Sequence, residues 1–446
     1  MNENLRDKRG VVFSLLIASF LASFLGSAIN IAIPIIGKEF KLDNVALTWL
    51  NTSFQLSSAT FLLFFGKLAD IKGRSKLYYL GISVFAVGVF LSIFSRNYLL
   101  LLFSRIVQGI GSSVIFATSS AILTSLYPEK RGYILGIYTT SVYLGLSFGP
   151  VLGGFLTQYV GWKSIFIFTF ILSFLSIILG ISYRFDEVRS EEKLDLLGGF
   201  LFSLFVFLIL FGTSQILKFT GIVSVGIGLV TLLGFYFVER RVSNPILDMN
   251  LLMNNKTFTF ANATALINYA STFGVSFLLS LYLQNIKGVS PRDAGLFLVF
   301  QPLTQALFSA WAGRLSDRRR PEILASIGMF IISSSLFLLS RIDTESSIFL
   351  IPLYGIFLGF GFALFSAPNT NIIMSSIDRR YYGFASSFLA TMRIMGQSLS
   401  MVMIGIVFSL ESSFMNSYRI LMLTYGILCI LGVFLSIKRH EVHKLS

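Results

Sequence analysis

Fourteen apolar stretches along this chain are long enough to cross a bilayer as helices, each needing about 20 mostly apolar residues. They cover residues 11–36, 46–65, 77–95, 98–126, 133–157, 164–183, 195–214, 220–238, 258–284, 293–312, 323–340, 347–374, 382–409 and 418–437. Short polar segments separate them and carry most of the charge. This pattern predicts an all-α integral membrane protein with 14 transmembrane helices. The run that follows MNENLRDKRG outlasts the apolar core of a secretory signal, so it is expected to be the first span.

An even number of spans returns both termini to one side. Lys and Arg number 24 in the segments on the N-terminal side and 9 on the other, with Arg419 at the edge of the last span counted among the 9, while Arg105 and Arg393 fall inside spans. The positive-inside rule makes the richer side cytoplasmic. Both termini of a multi-pass protein of the cell membrane are therefore expected in the cytoplasm. The same rule accounts for the formal net charge of +14, and no nucleic-acid partner is expected.

The chemistry-bearing residues are few. Cys429 stands alone, and the two histidines, His440 and His443, lie beyond the last span. That excludes an internal disulfide and gives no basis for a metal site, a cofactor or redox chemistry. No GxxxxGK[ST] loop is present to cradle ATP phosphates. An enzyme is not expected.

One polar segment repeats. GKLADIKGRSK, Gly66 to Lys76, is echoed by GRLSDRRRP, Gly313 to Pro321, which aligns Gly66 with Gly313, Leu68 with Leu315 and Asp70 with Asp317. Each segment follows the second span of a six-span set if spans 1–6 and 9–14 are equivalent halves. The expected organisation is residues 1–185 as an N-terminal six-helix bundle, 186–257 as an inserted pair of spans with cytoplasmic linkers, and 258–446 as a C-terminal six-helix bundle. Two parallel halves of this kind are a transporter architecture.

With these motifs in place the chain resembles the major facilitator superfamily, in its fourteen-span drug:proton antiporter branch. GKLADIKGRSK is similar to the family's loop 2–3 signature at Gly66, Asp70, Gly73 and Arg74. RIVQGIGSS, from Arg105, is similar to the span 4 signature, and GLSFGPVLGG, Gly145 to Gly154, to the span 5 signature of antiporters. GWKSIF, from Gly161, and NPILDMNLL, from Asn244, also fit that branch. The resemblance covers nearly the whole chain and implies two six-helix bundles plus two inserted helices. It implies a secondary transporter that exports small amphipathic compounds by alternating access, with protons as the coupling ion.

Residue by residue, the resemblance gives Gly66, Asp70, Gly73, Arg74, Gly313 and Asp317 a gating role, with plain topogenic charge as the alternative. Gly145, Gly149, Pro150, Gly153 and Gly154 become a hinge in span 5, although small residues four apart also serve helix packing. Arg105, Gln108 and Arg393 are coupling or cavity residues. A charged side chain facing lipid at the midplane costs at least about 2.5–3.5 kcal/mol, so Arg105 must face protein or water, or snorkel to the outer surface. Polar residues expected to line a cavity include Asn30, Gln55, Asn268, Gln284, Gln301 and Gln397, with interhelical hydrogen bonding as the alternative.

One departure matters. The branch carries an aspartate in span 1 ahead of Asn-x-Ala-x-Pro. Here that pattern is Asn30, Ala32 and Pro34, and Leu25 holds the acidic position. No Asp or Glu lies well inside any span, so no obvious proton carrier is present. A cavity with arginine and no acid disfavours lipophilic cations. Neutral or anionic amphipathic substrates are therefore expected. An exporter or facilitator of one such metabolite, and a non-transporting membrane sensor on the same fold, are the alternatives. A monomer with a small-molecule substrate, set in the lipid bilayer, completes the expectation.

Overall fold

The computed structural model describes residues 2–127, 131–181, 195–242, 245, 247, 249–377 and 382–445. Among these residues the chain is helices and turns, with no strand. Eight helices come first: α1 (Asn2–Phe40), α2 (Asn44–Lys72), α3 (Arg74–Ile93), α4 (Tyr98–Leu126), α5 (Arg131–Tyr159), α6 (Lys163–Ile181), α7 (Leu196–Ser214) and α8 (Phe219–Glu239). The short α9 (Met249–Asn254) leads into α10 (Lys256–Leu281), which ends in a π-helical turn, Tyr282–Ile286. Then follow α11 (Pro291–Leu298), α12 (Phe300–Arg318), α13 (Pro321–Leu339), α14 (Leu350–Ser375), α15 (Tyr382–Leu410) and α16 (Phe414–Leu445).

Thirteen of the described helical segments are long and apolar enough to cross a membrane. The remaining expected span, α2, is equally long but carries Thr48, Asn51, Thr52, Ser53, Gln55, Ser57, Ser58 and Thr60, all buried. Burial against protein removes the need for an apolar surface there. The expected span at 293–312 is two helices, α11 and α12, which meet at Val299.

The chain forms two compact units, residues 1–42 with 49–247, and residues 43–48 with 248–446. The first unit packs α1 against α5 and α6, and α3 against α4 and α6. The second repeats the scheme, with α10 against α15 and α16, and α13 against α14 and α16. Glycine contacts match in register. A methyl group on Gly81 would collide with Val114, on Gly111 with Phe85, and on Gly109 with Phe54 and Ser57. In the second unit the equivalents are Gly328 with Leu364, Gly361 with Ile332, and Gly359 with Gln301 and Thr304. Lipid tails supply no hydrophobic drive between helices, so close backbone approach at small residues holds them together. The repeat seen in two polar segments thus extends through helix packing.

GKLADIKGRSK departs from the loop that its charges suggest. Residues up to Lys72 complete α2, and α3 begins at Arg74, so Gly73 alone makes the turn. Charge at a helix end does not stop the helix. Gly73 does, because its φ of 109° is a conformation that side-chain-bearing residues rarely adopt. α7 and α8 pack on each other and expose Phe200, Phe207, Ile222, Val230 and Phe237. The expected boundary between residues 185 and 186, and Asn244 of NPILDMNLL, lie outside the described residues.

Candidate functional site

The first unit holds a polar thread through four helices. Arg105 on α4 is fully buried, which rules out snorkelling. Its Nε donates to the Leu50 carbonyl of α2 at 2.9 Å and its Nη1 to Gln108 Oε1 at 2.7 Å. The guanidinium carbon lies 4.4 Å from the centre of the Phe54 ring. Gln108 continues the thread, its Nε2 donating to the Gly88 carbonyl at 3.0 Å and to Ser92 Oγ at 2.7 Å on α3. Ser92 and Ser104 hydroxyls stand 2.6 Å apart. Next to Leu50, Asn51 Nδ2 donates to Asn30 Oδ1 of α1 at 2.6 Å.

A buried charge needs compensation. Two charge-assisted hydrogen bonds are worth about 1.5–3 kcal/mol each, and a desolvated cation–π contact about 2 kcal/mol. Arg105 draws on all three, and no carboxylate is among its partners. Its Nη2 has no hydrogen-bond partner.

The residues expected to gate sit at corresponding helix ends. Asp70 Oδ1 accepts from both Nε and Nη2 of Arg74 at 2.7 Å. Arg74 Nη1 also reaches the Ala121 carbonyl of α4 at 3.5 Å. The two residues therefore tie the end of α2, the start of α3 and the end of α4 within one unit. In the second unit, the register that aligns Asp70 with Asp317 puts Pro321 where Arg74 stands. Asp317 instead accepts from Asn371 Nδ2 of α14 at 3.2 Å. A methyl on Gly66 would stand 3.9 Å from Ala117 Cβ, and one on Gly313 3.9 Å from Ala367 Cβ. Asn371 thus holds the position of Ala121, and its side chain supplies the donor that arginine gives in the first unit.

In α5, Gly145, Gly149 and Gly153 line the face packed on α1. Methyl groups there would strike the Phe20 carbonyl, Ser27 and Ala28 in turn. Gly154 and Pro150 are buried as well. α5 runs unbroken through Pro150, so this stretch is at least a close-packing seam.

The cavity candidates separate. Asn30 is bonded to Asn51, and Gln55 is buried one turn further along α2. On α10, Asn268 is fully buried with neither amide atom hydrogen-bonded. Gln284 lies in the π turn and donates to Ser280 Oγ at 3.0 Å. Sixteen helical residues at 1.5 Å each put it about 24 Å from Asn268, so these two do not share one small ligand. Gln301 joins Val275, Leu279, Phe297 and Leu358 in an apolar cleft. On α15, Gln397 is half-buried, and the Arg393 guanidinium lies 5.2 Å from the Tyr269 ring centre. Ser92, Phe54 and Asn371 were not singled out in the sequence. Serine and phenylalanine are too abundant here to signal, whereas the Gly66–Gly313 alignment could have flagged Asn371.

The sequence matches the Major Facilitator Superfamily over residues 15–254 and 261–445. It is 30% identical to the riboflavin transporter RibZ of Clostridioides difficile (strain 630), over 95% of this chain and 90% of that protein. It is 28% identical to the multidrug resistance protein Stp of Mycobacterium tuberculosis (strain ATCC 25618 / H37Rv), over 85% and 72%. Among solved structures, the human organic anion transporter MFSD10 (TETRAN) superposes with a TM-score of 0.66 at 15% identity, covering 96% of this chain and 98% of that one. That last likeness concerns the fold alone.

Proposed function

The chain belongs to the Major Facilitator Superfamily and is a multi-pass secondary transporter, not an enzyme, and from that premise we propose that it exports small amphipathic compounds that are neutral or anionic. The observation that carries this reading is Arg105. Its charge is buried without a carboxylate partner, and one guanidinium nitrogen still lacks an acceptor. A positive potential of this kind repels lipophilic cations and favours acceptor-rich or anionic groups. The unmet amide of Asn268 in the other unit supports a polar ligand group as well.

Gly66, Asp70, Gly73, Arg74, Gly313 and Asp317 are proposed to act as gates, and the α5 glycines with Pro150 as a flexing seam. The excess of Lys and Arg on one side supports cytoplasmic termini in the cell membrane, and the inserted pair is assigned to α7 and α8. A second reading is favoured by the RibZ relationship: one specific metabolite, flat, uncharged and rich in hydrogen-bond acceptors, in the manner of riboflavin. A competition assay in inside-out vesicles tests both. Uptake of neutral and anionic probes that resists competition by ethidium supports the proposal. Inhibition by riboflavin alone favours the second reading. Pumping of ethidium-like cations, driven by a pH gradient, would sink both.

A further inference from the structure

One buried amide stands outside the polar thread. Asn51 Nδ2 of α2 donates to Asn30 Oδ1 of α1 at 2.6 Å. α1 ends at Phe40 and α2 begins at Asn44, so the two helices run antiparallel. One turn further from that connection, Gly26 on α1 and Gln55 on α2 fall at the same level, each four residues from its bonded asparagine and on the same helix face. Gln55 is only 4% exposed, and among the described residues its carboxamide makes no hydrogen bond. Gly26 is buried as well, yet a methyl group there would meet nothing within 4 Å. An unserved amide therefore stands across from open space within the first unit.

The amide is held in place by its neighbours. Arg105 binds the Leu50 carbonyl and covers the ring of Phe54, the residue before Gln55, so this part of α2 is fixed to α4. Gln55 lies at the middle of the expected span 46–65, and secondary transporters hold their cargo near the midplane. Gly26 differs from Gly145, Gly149 and Gly153, whose hydrogens allow close contact between helices. Glycine inside a helix is unfavourable, and no packing contact accounts for it here. What it leaves is room.

The chemistry of the carboxamide selects the guest. Gln55 presents a carbonyl acceptor and an N–H donor side by side. A group with its own N–H next to a C=O satisfies both in one plane, in the way that glutamine reads the paired donor and acceptor of adenine. Ring amides and imides carry that edge. A carboxylate offers no donor to the Gln55 oxygen, and a quaternary cation offers neither donor nor acceptor.

We propose that Gln55 recognises the ring amide or imide edge of flat, neutral compounds, which enter the space that Gly26 leaves between α1 and α2. This rests on the export reading above, whose neutral class it narrows. Gln55 is thus a specificity-determining residue, and Asn30 and Asn51 set the level at which it meets the guest.

The test compares naphthalimide, a flat neutral probe with an imide N–H, with N-methylnaphthalimide, which lacks that donor. Equilibrium dialysis of the full chain in detergent micelles reads saturable binding above that of empty micelles. The wild type is expected to bind the N-methyl probe more weakly by roughly tenfold or more, through one lost hydrogen bond and one unserved acceptor. Gln55→Leu is expected to erase that preference, with naphthalimide falling to the level of its N-methyl form. Gly26→Leu fills the space and is expected to weaken both probes. Equal binding of the two probes by the wild type, or no saturable binding of either, overturns the proposal and requires no variant to fold. So does a preference that survives in Gln55→Leu, or binding of both probes unchanged in Gly26→Leu. Binding is read rather than export, so pumping of ethidium would sink the export reading without altering this result.

Discussion

Replacing Arg105 separates the structural from the electrostatic role of the polar thread. Arg105→Lys keeps the charge but loses the fork that reaches Leu50 and Gln108 together. A single ammonium cannot satisfy both acceptors from one side of Phe54, so at least one charge-assisted bond is lost. That costs about 1.5–3 kcal/mol of stability. Arg105→Gln loses the charge as well. A cation about 7 Å from a unit positive charge, at an effective dielectric of 20, is disfavoured by about 2.4 kcal/mol. Converted at 1.36 kcal/mol per decade, that is roughly 60-fold. Arg105→Gln is therefore expected to raise transport of lipophilic cations relative to neutral compounds by up to roughly 60-fold, whereas Arg105→Lys keeps the wild-type preference. Unfolding in mixed micelles reads the stability, and paired uptake of ethidium and a neutral fluorophore in vesicles reads the preference. If Arg105→Gln folds, transports and keeps the wild-type ratio, the electrostatic reasoning is wrong.

Further outcomes can be checked. Gly73→Ala forces an L-residue to φ near 109° and is expected to lower stability by about 1–2 kcal/mol in the same unfolding assay. Gly361→Ala drives a methyl against the Gly328 carbonyl and Ile332, an overpacking penalty of about 1–3 kcal/mol; Gly226→Ala meets open space and should raise stability slightly. Asp70→Asn breaks a half-exposed ion pair worth about 0.3–0.5 kcal/mol, so a strong fall in transport with near-normal unfolding would mark gating, and unchanged transport would remove it. Asn371→Leu takes the donor from Asp317 and is expected to mimic Asp70→Asn in transport with little change in stability.

Most of the fold was legible because a span must be apolar wherever it meets lipid. The expected limits at 98–126 coincide with α4; α1, α2, α12 and α16 run well past the expected limits, to Asn2, Lys72, Arg318 and Leu445, where polar ends continue the helix, and the 293–312 span is divided between α11 and α12. The tail of α2 was misread because charge marks the membrane boundary rather than the helix boundary, and only the φ of Gly73 ends the helix. The thread was half-legible. Arg105 and Gln108 stand in a motif, but the Leu50 carbonyl is a backbone group that no residue type announces. Asn30 and Asn51 could not be paired from the sequence, since any polar residue in a span has several neighbours available.

A buried arginine without a carboxylate partner in the span interiors is the central claim, and one measurement addresses it directly. Proteoliposomes holding the purified protein are loaded with a neutral amphipathic fluorophore or with ethidium, and efflux is followed by fluorescence with and without an imposed pH gradient. Saturable efflux of the neutral compound is expected, and none of the cation above the leak of empty liposomes. Gradient-driven efflux of ethidium, with the neutral compound retained, would refute the claim.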